Sequence, residues 1–213
     1  MSDVKQPNAF TSVQAQGGRS LILYVDEEKT IHGWLQKTKN AERYYKDPPS
    51  SVDEKKHYLY NRVPYQESEV VLDTGKIIKT ASADLAVVTL ISGGPKKYYQ
   101  IRVYYADENQ VLSELCMDLD PTSFKPVDLS AKGESEDGNW YKGKLGEHGI
   151  KVEKGTAISA HVTKKEGQDH TIKVYHFAAN PNTGKGFGQN GRPSLAWITL
   201  DYADGWLTTN SGV

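Results

Sequence analysis

A pattern of strands and turns occurs three times along this sequence of 213 residues, and this repetition limits the fold more than any other feature. Ser20–Leu35 aligns without gaps on Ile101–Cys116, as SLILYVDEEKTIHGWL on IRVYYADENQVLSELC. Both segments predict a strand, an acidic turn and a second strand, which together form a β-hairpin. Ile172–Phe177, with the sequence IKVYHF, repeats the first strand of that hairpin a third time. Many short strands at this density suggest a sandwich, a barrel or a propeller.

Two shorter elements recur around the hairpin. One is strand-like and occurs at Phe10–Val13, Leu85–Val88 and Ile158–His161. The other occurs at Leu72–Ile77 and Trp140–Leu145, and more loosely at Trp206–Thr209. A unit of four short antiparallel strands is a propeller blade. We therefore predict an all-β fold, a β-propeller of four-stranded antiparallel blades, as one domain over residues 1–213 with three units near residues 10–80, 81–155 and 156–213.

Three blades do not close a ring, because the smallest propellers have about four. Two chains related by two-fold symmetry would close a six-bladed ring, so we expect a homodimer. Phe10–Val13 matches the strand that ends other units. This offset suggests that the chain starts partway through a blade, which the C-terminal strand or the second chain would then complete.

Composition excludes several classes of partner. With 26 basic and 27 acidic residues the formal net charge is -1, so the chain lacks the basic footprint of a nucleic-acid-binding protein. The single cysteine, Cys116, excludes an intramolecular disulfide and a cysteine-based zinc site, and the histidines are scattered. Neither a membrane-length apolar run nor a signal-peptide pattern is present. We expect no cofactor, no membrane insertion, and a location in the cytoplasm or export without a classical signal peptide.

The middle unit, between Tyr98 and Val162, contains the segments IRVYYADENQVLSELC, NWYKGKLGEHG and TAISAHV. These segments resemble the blade motif of the fungal and bacterial fucose-specific lectins of the Aleuria type, which has the form I-R-V-Y…E-L/R-C-W…W-Y-x-G-x-L…L-A-A-V. The first and third units match only in the order of their elements. The resemblance implies a six-bladed propeller, which short bacterial members complete by oligomerising, and a sugar bound between neighbouring blades.

The resemblance also implies which residues contact the sugar. Arg102 is the arginine and Glu114 the glutamate that hydrogen-bond the ring oxygen and the hydroxyls. An aromatic side chain of the next blade packs on the apolar face of the sugar; the first candidate is Trp206, which is equivalent to Trp140, and the second is Trp197. Trp140 is the corresponding candidate for the preceding pocket, where we expect it to pack in the core.

Sugar chemistry favours the same residue types. A guanidinium presents fixed donors, a carboxylate accepts from two neighbouring hydroxyls, and an indole covers an apolar C–H face. At the equivalent positions the first unit has Leu21 and Gly33. The third unit has Lys173, and its glutamate position falls near Ala196 or Trp197. The sequence therefore predicts one intact site per chain, between the second and third units.

Three functions remain open. Carbohydrate binding without catalysis is favoured, with fucose or a fucosylated glycan as the expected ligand, although galactose is not excluded. A propeller that has lost sugar binding and serves as a protein-interaction module is the first alternative, since Arg102 and Glu114 also fit a purely structural cross-strand ion pair. The second is a glycosidase, for which Asp118 or Asp120 would have to supply a second carboxylate.

Overall fold

The computed structural model describes residues 9–15, 19–36, 65–69, 77–91, 97–121, 140–164, 170–179, 194–201 and 205–209. Within them, twelve strands form three four-stranded antiparallel sheets. Sheet one contains β1 (Ala9–Ala15), β2 (Arg19–Val25), β3 (Ile31–Gln36) and β4 (Tyr65–Glu69). Sheet two contains β5 (Thr80–Ile91), β6 (Tyr99–Asp107), β7 (Leu112–Leu119) and β8 (Tyr141–Lys142). Sheet three contains β9 (Ser159–Lys164), β10 (His170–Ala178), β11 (Ser194–Asp201) and β12 (Gly205–Thr209).

The strands of each sheet follow one another in chain order, which is the arrangement of a propeller blade. The predicted fold class, three four-stranded antiparallel blades in one chain, is thereby confirmed. The suggestion that the chain starts partway through a blade is wrong. Phe10–Val13 lies in β1, which pairs with β2 as the first strand of its own sheet, just as β5 pairs with β6 and β9 with β10. The exact unit boundaries stay a prediction.

Strand pairing confirms the gapless alignment of the first two hairpins. Leu23 lies opposite Gly33 in sheet one, and Tyr104 lies opposite Glu114 in sheet two. The fourth strand of sheet one is an exception. Because Leu35 pairs with Gln66 and Cys116 pairs with Tyr141, the position of Trp140 corresponds to Tyr65 at the start of β4. Leu72, which the sequence comparison placed there, lies outside the described residues.

Sheet two is covered on both faces. Successive side chains on its strands point to opposite sides, and each set packs against a different neighbouring sheet. Ile101, Val103 and Tyr105 belong to a core cluster with Leu21, Leu23 and Val25 of sheet one. Tyr104 and Ala106 belong to a second cluster with Ile172, Val174, Ile198 and Leu200 of sheet three. Apolar burial of this kind is the main force that holds neighbouring sheets together. The middle sheet therefore stands between the other two, as a blade stands between its neighbours.

The acidic turns of the first two hairpins have the same geometry. The Asp26 and Asp107 side chains accept a hydrogen bond from the backbone N–H of Thr30 (2.8 Å) and Val111 (2.9 Å) respectively. Lys29 and Gln110 take the same position in the two turns and adopt left-handed backbone angles, with φ of 65° and 61°. The side-chain acceptor supplies the local bond that such a turn needs. The repeat thus extends to backbone angles of individual turn residues.

The connections between sheets also repeat. After sheet one, the Thr80 N–H donates to the Lys29 carbonyl at 2.8 Å, and after sheet two the Val152 N–H donates to the Gln110 carbonyl at 2.9 Å. Each connection thus crosses the hairpin turn of the sheet it leaves before it enters the next sheet. No helix in the described part of the chain is long and apolar enough to cross a membrane.

Candidate functional site

Arg102 and Glu114 meet on the face of sheet two that is turned toward sheet three. Arg102 lies on β6 opposite Cys116, and Glu114 lies on β7 opposite Tyr104, so the two are diagonal neighbours. Their position is fixed by Tyr104, which shares this face and belongs to the core cluster with sheet three. Arg102 Nη1 donates to Glu114 Oε2 at 3.0 Å. The predicted pair is therefore formed, and it lies between the second and third sheets.

The pair is almost entirely removed from bulk water. The Glu114 side chain is 1% exposed and the Arg102 side chain 12% exposed. An ion pair held at this depth needs further hydrogen bonds to offset the loss of hydration. Gln100 Oε1 accepts from Arg102 Nη2 at 3.4 Å, and the Leu145 N–H donates to Glu114 Oε1 at 3.2 Å. The charged groups are therefore held in position by other groups of the protein.

Gly143 makes room for the Glu114 side chain. The Gly143 N–H donates to the Glu114 carbonyl at 3.1 Å, and a β-carbon on residue 143 would overlap the Glu114 carboxylate. The chain then turns through a short 3₁₀ helix, Lys144–His148, which aims the Leu145 N–H at the same carboxylate. The glycine of the W-Y-K-G-K-L segment is thus required by close approach rather than by its backbone angles, since its φ of -79° suits any residue.

More polar side chains continue this face beyond the pair. Cys116 lies between Arg102 on β6 and Tyr141 on β8. Asp118, two residues further along β7, accepts a hydrogen bond from the Tyr141 hydroxyl at 2.6 Å. Burial raises the pKa of the Cys116 thiol, and the neighbouring Glu114 charge adds to this effect. The thiol is therefore protonated at neutral pH, and Cys116 serves as a buried neutral side chain beneath the Arg102–Glu114 site rather than as a reactive group.

The three tryptophans considered as ligand contacts occupy different places, and Trp140 packs in the core as expected. Trp140 is 6% exposed and belongs to the core cluster between sheets one and two, together with Leu21. Trp197 on β11 lies opposite Tyr175 on β10, and their ring centroids are 6.3 Å apart. Tyr175 alternates with the buried Val174 and His176, so Trp197 is on the face of sheet three turned away from sheet two. The structure does not bring Trp197 and Trp140 to the Arg102–Glu114 pair.

Trp206 is placed by its backbone. Its backbone lies in β12 opposite Leu200, and Leu200 belongs to the core cluster between sheets two and three. Thr199 pairs with Leu207 just as Cys116 pairs with Tyr141, so the register makes Trp206 the equivalent of Trp140. The predicted equivalence is thereby confirmed. The Trp206 side chain lies outside the described residues, and its contact with a ligand stays a prediction.

The register also identifies the equivalent positions in sheet three. Lys173 lies opposite Thr199 and Tyr175 opposite Trp197, as Arg102 lies opposite Cys116 and Tyr104 opposite Glu114. Trp197, and not Ala196, therefore takes the place of the glutamate.

Sequence reasoning did not identify the groups that support the pair. The Leu145 N–H, the Gln100 amide and the space at Gly143 all lie within three residues of a motif position. The glycine of the W-Y-K-G-K-L segment was a usable signal, because a repeated glycine marks a backbone conformation or a close approach. The described residues contain no group of three or more His, Cys, Asp or Glu side chains that could hold a metal ion.

No protein-family model matches the sequence, and a search of curated proteins found no significant match. Solved structures do match over almost the whole chain. A mutant of the Aleuria aurantia lectin in complex with Fucα1-6GlcNAc is 18% identical, with a TM-score of 0.52, over 94% of this chain and 47% of that one. AofleA from Arthrobotrys oligospora is 18% identical, with a TM-score of 0.51, over 95% of this chain and 41% of that one.

A fucose lectin from Kordia zhangzhouensis in complex with methyl-fucoside matches along its full length. It is 13% identical, with a TM-score of 0.51, over 96% of this chain and 100% of that one. The Aleuria lectin is a six-bladed β-propeller, and the present chain spans about half its length. The class that the fold defines is a unit of three four-stranded propeller blades. Its structural neighbours include one fucose-binding lectin whose chain is about twice as long and another that this chain covers along its full length.

Proposed function

We propose that this protein is a divergent member of the Aleuria-type lectins that binds fucose or a fucosylated glycan without catalysis. The observation that carries the proposal is the Arg102–Glu114 pair, formed at 3.0 Å on the face of sheet two turned toward sheet three. The fork of the guanidinium and the acceptor-only carboxylate together match a row of neutral hydroxyls that both donate and accept. Likeness in fold to lectins solved with fucosides supports this ligand class.

An aromatic wall for the site is expected from Trp206. In the space between sheets one and two, Leu21 takes the position of Arg102, and it shares a core cluster with Trp140. The same relationship, moved one blade along, supports a position of the Trp206 side chain close to Arg102. An indole there would cover the apolar face and the methyl group of a fucose ring. A monosaccharide held by a few such contacts binds with micromolar rather than nanomolar affinity, on the order of -8 kcal/mol.

Two copies of the chain closing a six-bladed ring are part of the same proposal. Among the described residues, sheet two packs against both other sheets, whereas sheets one and three each share a core cluster with sheet two alone. Each outer face carries accessible aromatic side chains, Phe10 on sheet one and Tyr175 and Trp197 on sheet three. Light scattering coupled to size-exclusion chromatography tests the assembly: a stable monomer at micromolar concentration contradicts the ring.

Titration calorimetry with methyl α-L-fucoside tests the ligand. Arg102→Ala and Glu114→Gln should each weaken binding at least about tenfold, since each removes a desolvated charged hydrogen bond. Glu108→Gln, which removes an exposed carboxylate from the neighbouring turn, is the matched control and should bind as the unaltered protein does. A folded protein that binds no fucoside on a glycan array, at high micromolar concentration, would instead favour a role as a protein-interaction module.

A further inference from the structure

The face of sheet three turned away from sheet two carries a cluster of aromatic side chains beside a cation. Lys173 and Tyr175 on β10 alternate with the buried Ile172, Val174 and His176, so they point to this outer face. His161 on β9 lies opposite Lys173. We call His161, Lys173, Tyr175 and Trp197 the outer cluster.

The aromatic rings of the outer cluster form a continuous row across three strands. His161 stacks on Tyr175 with centroids 5.4 Å apart and planes at 25°, and Trp197 meets the other side of Tyr175 at 6.3 Å and 46°. In the single chain His161 is exposed and Tyr175 and Trp197 are half-buried, so the row is open to solvent there. A row of partly exposed rings of this kind suits the apolar C–H face of a saccharide.

The charge of the outer cluster differs from that of the Arg102–Glu114 site. Lys173 takes the position of Arg102 and keeps its positive charge, but Trp197 takes the position of Glu114 and removes the negative one. Among the side chains that the structure describes, Lys173 has no ion-pair partner. The nearest acidic position by register is Asp201, in the next row opposite Thr171, and its side chain lies outside the described residues.

The exchange changes the ligand that fits. An arginine paired with a carboxylate is nearly neutral as a unit and suits uncharged hydroxyls, whereas a lysine without an acid opposite it attracts an anion as a point charge. The ligand must therefore combine an apolar ring face for the aromatic row with a negative charge for Lys173. A sugar ring that carries a carboxylate meets both requirements.

We propose that the outer cluster is a second saccharide site, which binds a carboxylate-bearing sugar such as a hexuronic acid. Its ligand class differs from that of the Arg102–Glu114 site, and the two sites do not depend on each other. In a ring closed by two copies, the outer cluster lines the groove between the copies, just as Arg102 lines the groove between sheets two and three.

Two probes that differ in one group test the proposal. Methyl β-D-glucuronide and methyl β-D-glucoside have the same ring and differ only in the carboxylate at C6. Calorimetry or saturation-transfer NMR should show the glucuronide binding at least about tenfold more tightly than the glucoside. That preference should shrink with added salt, because the interaction is between charges near the surface.

Lys173→Met keeps most of the side-chain stem and removes the charge, so it should bring the glucuronide down to the affinity of the glucoside. Trp197→Ala should weaken both probes. Arg102→Met is the matched control: it should abolish methyl fucoside binding and leave glucuronide binding unchanged. Because the two sugars report on separate sites, loss of the proposed fucose function and loss of this second site give different results.

Several results would overturn the second site. They are equal affinity for the two probes, no binding of either one, or a glucuronide preference that survives Lys173→Met. If neither probe binds and Tyr175→Ala lowers the mass measured by light scattering, the outer cluster is an interface between copies of this chain and not a sugar site. Thermal unfolding of Lys173→Met checks that the variant is folded.

Discussion

The carboxylate of Glu114 fills the space that a β-carbon on residue 143 would need. This contact joins two separate parts of the repeat, the E-L-C strand and the W-Y-K-G-K-L segment. The Leu145 N–H of the same segment also donates to Glu114, across a separation of 31 residues. The glycine is therefore part of the site although it has no side chain.

Replacing Gly143 with alanine should displace the Glu114 carboxylate and break its bond to Arg102. We expect methyl fucoside affinity to fall at least about tenfold, with a loss of about 1–3 kcal/mol of stability from overpacking. Calorimetry and urea unfolding measure the two effects. Gly146→Ala is the matched control in the same turn, because a β-carbon there meets only the Ser113 side chain, whose hydroxyl lies at 3.1 Å. Equal effects of the two substitutions would show that Gly143 has no special relation to Glu114.

Breaking the Arg102–Glu114 pair from one side should cost more stability than removing it entirely. Glu114→Leu leaves a guanidinium in a site where its partner was 1% exposed, and we expect a loss of about 3 kcal/mol. The double variant Arg102→Met, Glu114→Leu removes the uncompensated charge and should recover part of that loss. Urea unfolding of the single and double variants forms a mutant cycle. Strict additivity would show that the two charges do not interact.

The turns at Asp26 and Asp107 have the same geometry but differ in burial, so they allow the effect of burial on an aspartate hydrogen bond to be compared. Asp26 is completely buried, and it accepts from both Thr30 N–H and His32 Nε2, the latter at 2.9 Å. Asp107 is half-buried at the equivalent position. Asp26→Ala should cost about 2 kcal/mol and Asp107→Ala about 1 kcal/mol, because unmet hydrogen bonds cost more where water cannot replace them. Thermal unfolding of both variants checks this order, and a larger loss at Asp107 would contradict it.

His176 should make stability depend on pH. Its side chain is almost completely buried on the face of sheet three toward sheet two, and this desolvation lowers its pKa from the ordinary value near 6.5. The unfolded chain then binds the proton more readily than the native protein does. The stability that depends on a neutral His176 is therefore fully present above about pH 6.5. It is lost as pH falls from there toward the native pKa of His176.

Urea midpoints at pH 7.5 and pH 5 measure this effect. His176→Phe should lose less stability between the two values than the unaltered protein loses. His148→Gln, at an exposed position, is the control and should lose as much as the unaltered protein. A pH response of His176→Phe identical to that of the unaltered protein would show that His176 does not titrate on unfolding.

The Cys116 thiol should be inert in the native protein. Burial first, and then the Glu114 charge, raise its pKa, so almost no thiolate is present at pH 8. Ellman's reagent should therefore react in the seconds after urea unfolding and far more slowly before it. Rapid labelling of the native protein would show that the floor of the Arg102–Glu114 site opens readily.

Much of the architecture was predictable because it depends on local patterns. The gapless match of Ser20–Leu35 to Ile101–Cys116 predicted two equivalent hairpins, and the structure pairs them in the same register. The same alternation placed Arg102 and Glu114 on one face of adjacent strands. Where the repeat was weak the prediction failed, as at Phe10–Val13, whose short match did not distinguish the first strand of a sheet from the last.

By itself the sequence determined the repeated strand order, the turn residues and the pairing of one arginine with one glutamate, because each of these follows from side-chain alternation and spacing along the chain. Only the tertiary structure decided that Gly143 and Leu145 support Glu114, that Gln100 bonds to Arg102, and that Trp197 belongs to the opposite face. Those facts depend on register across long connections and on packing between sheets. Such contacts join residues far apart in the chain, so no local pattern specifies them.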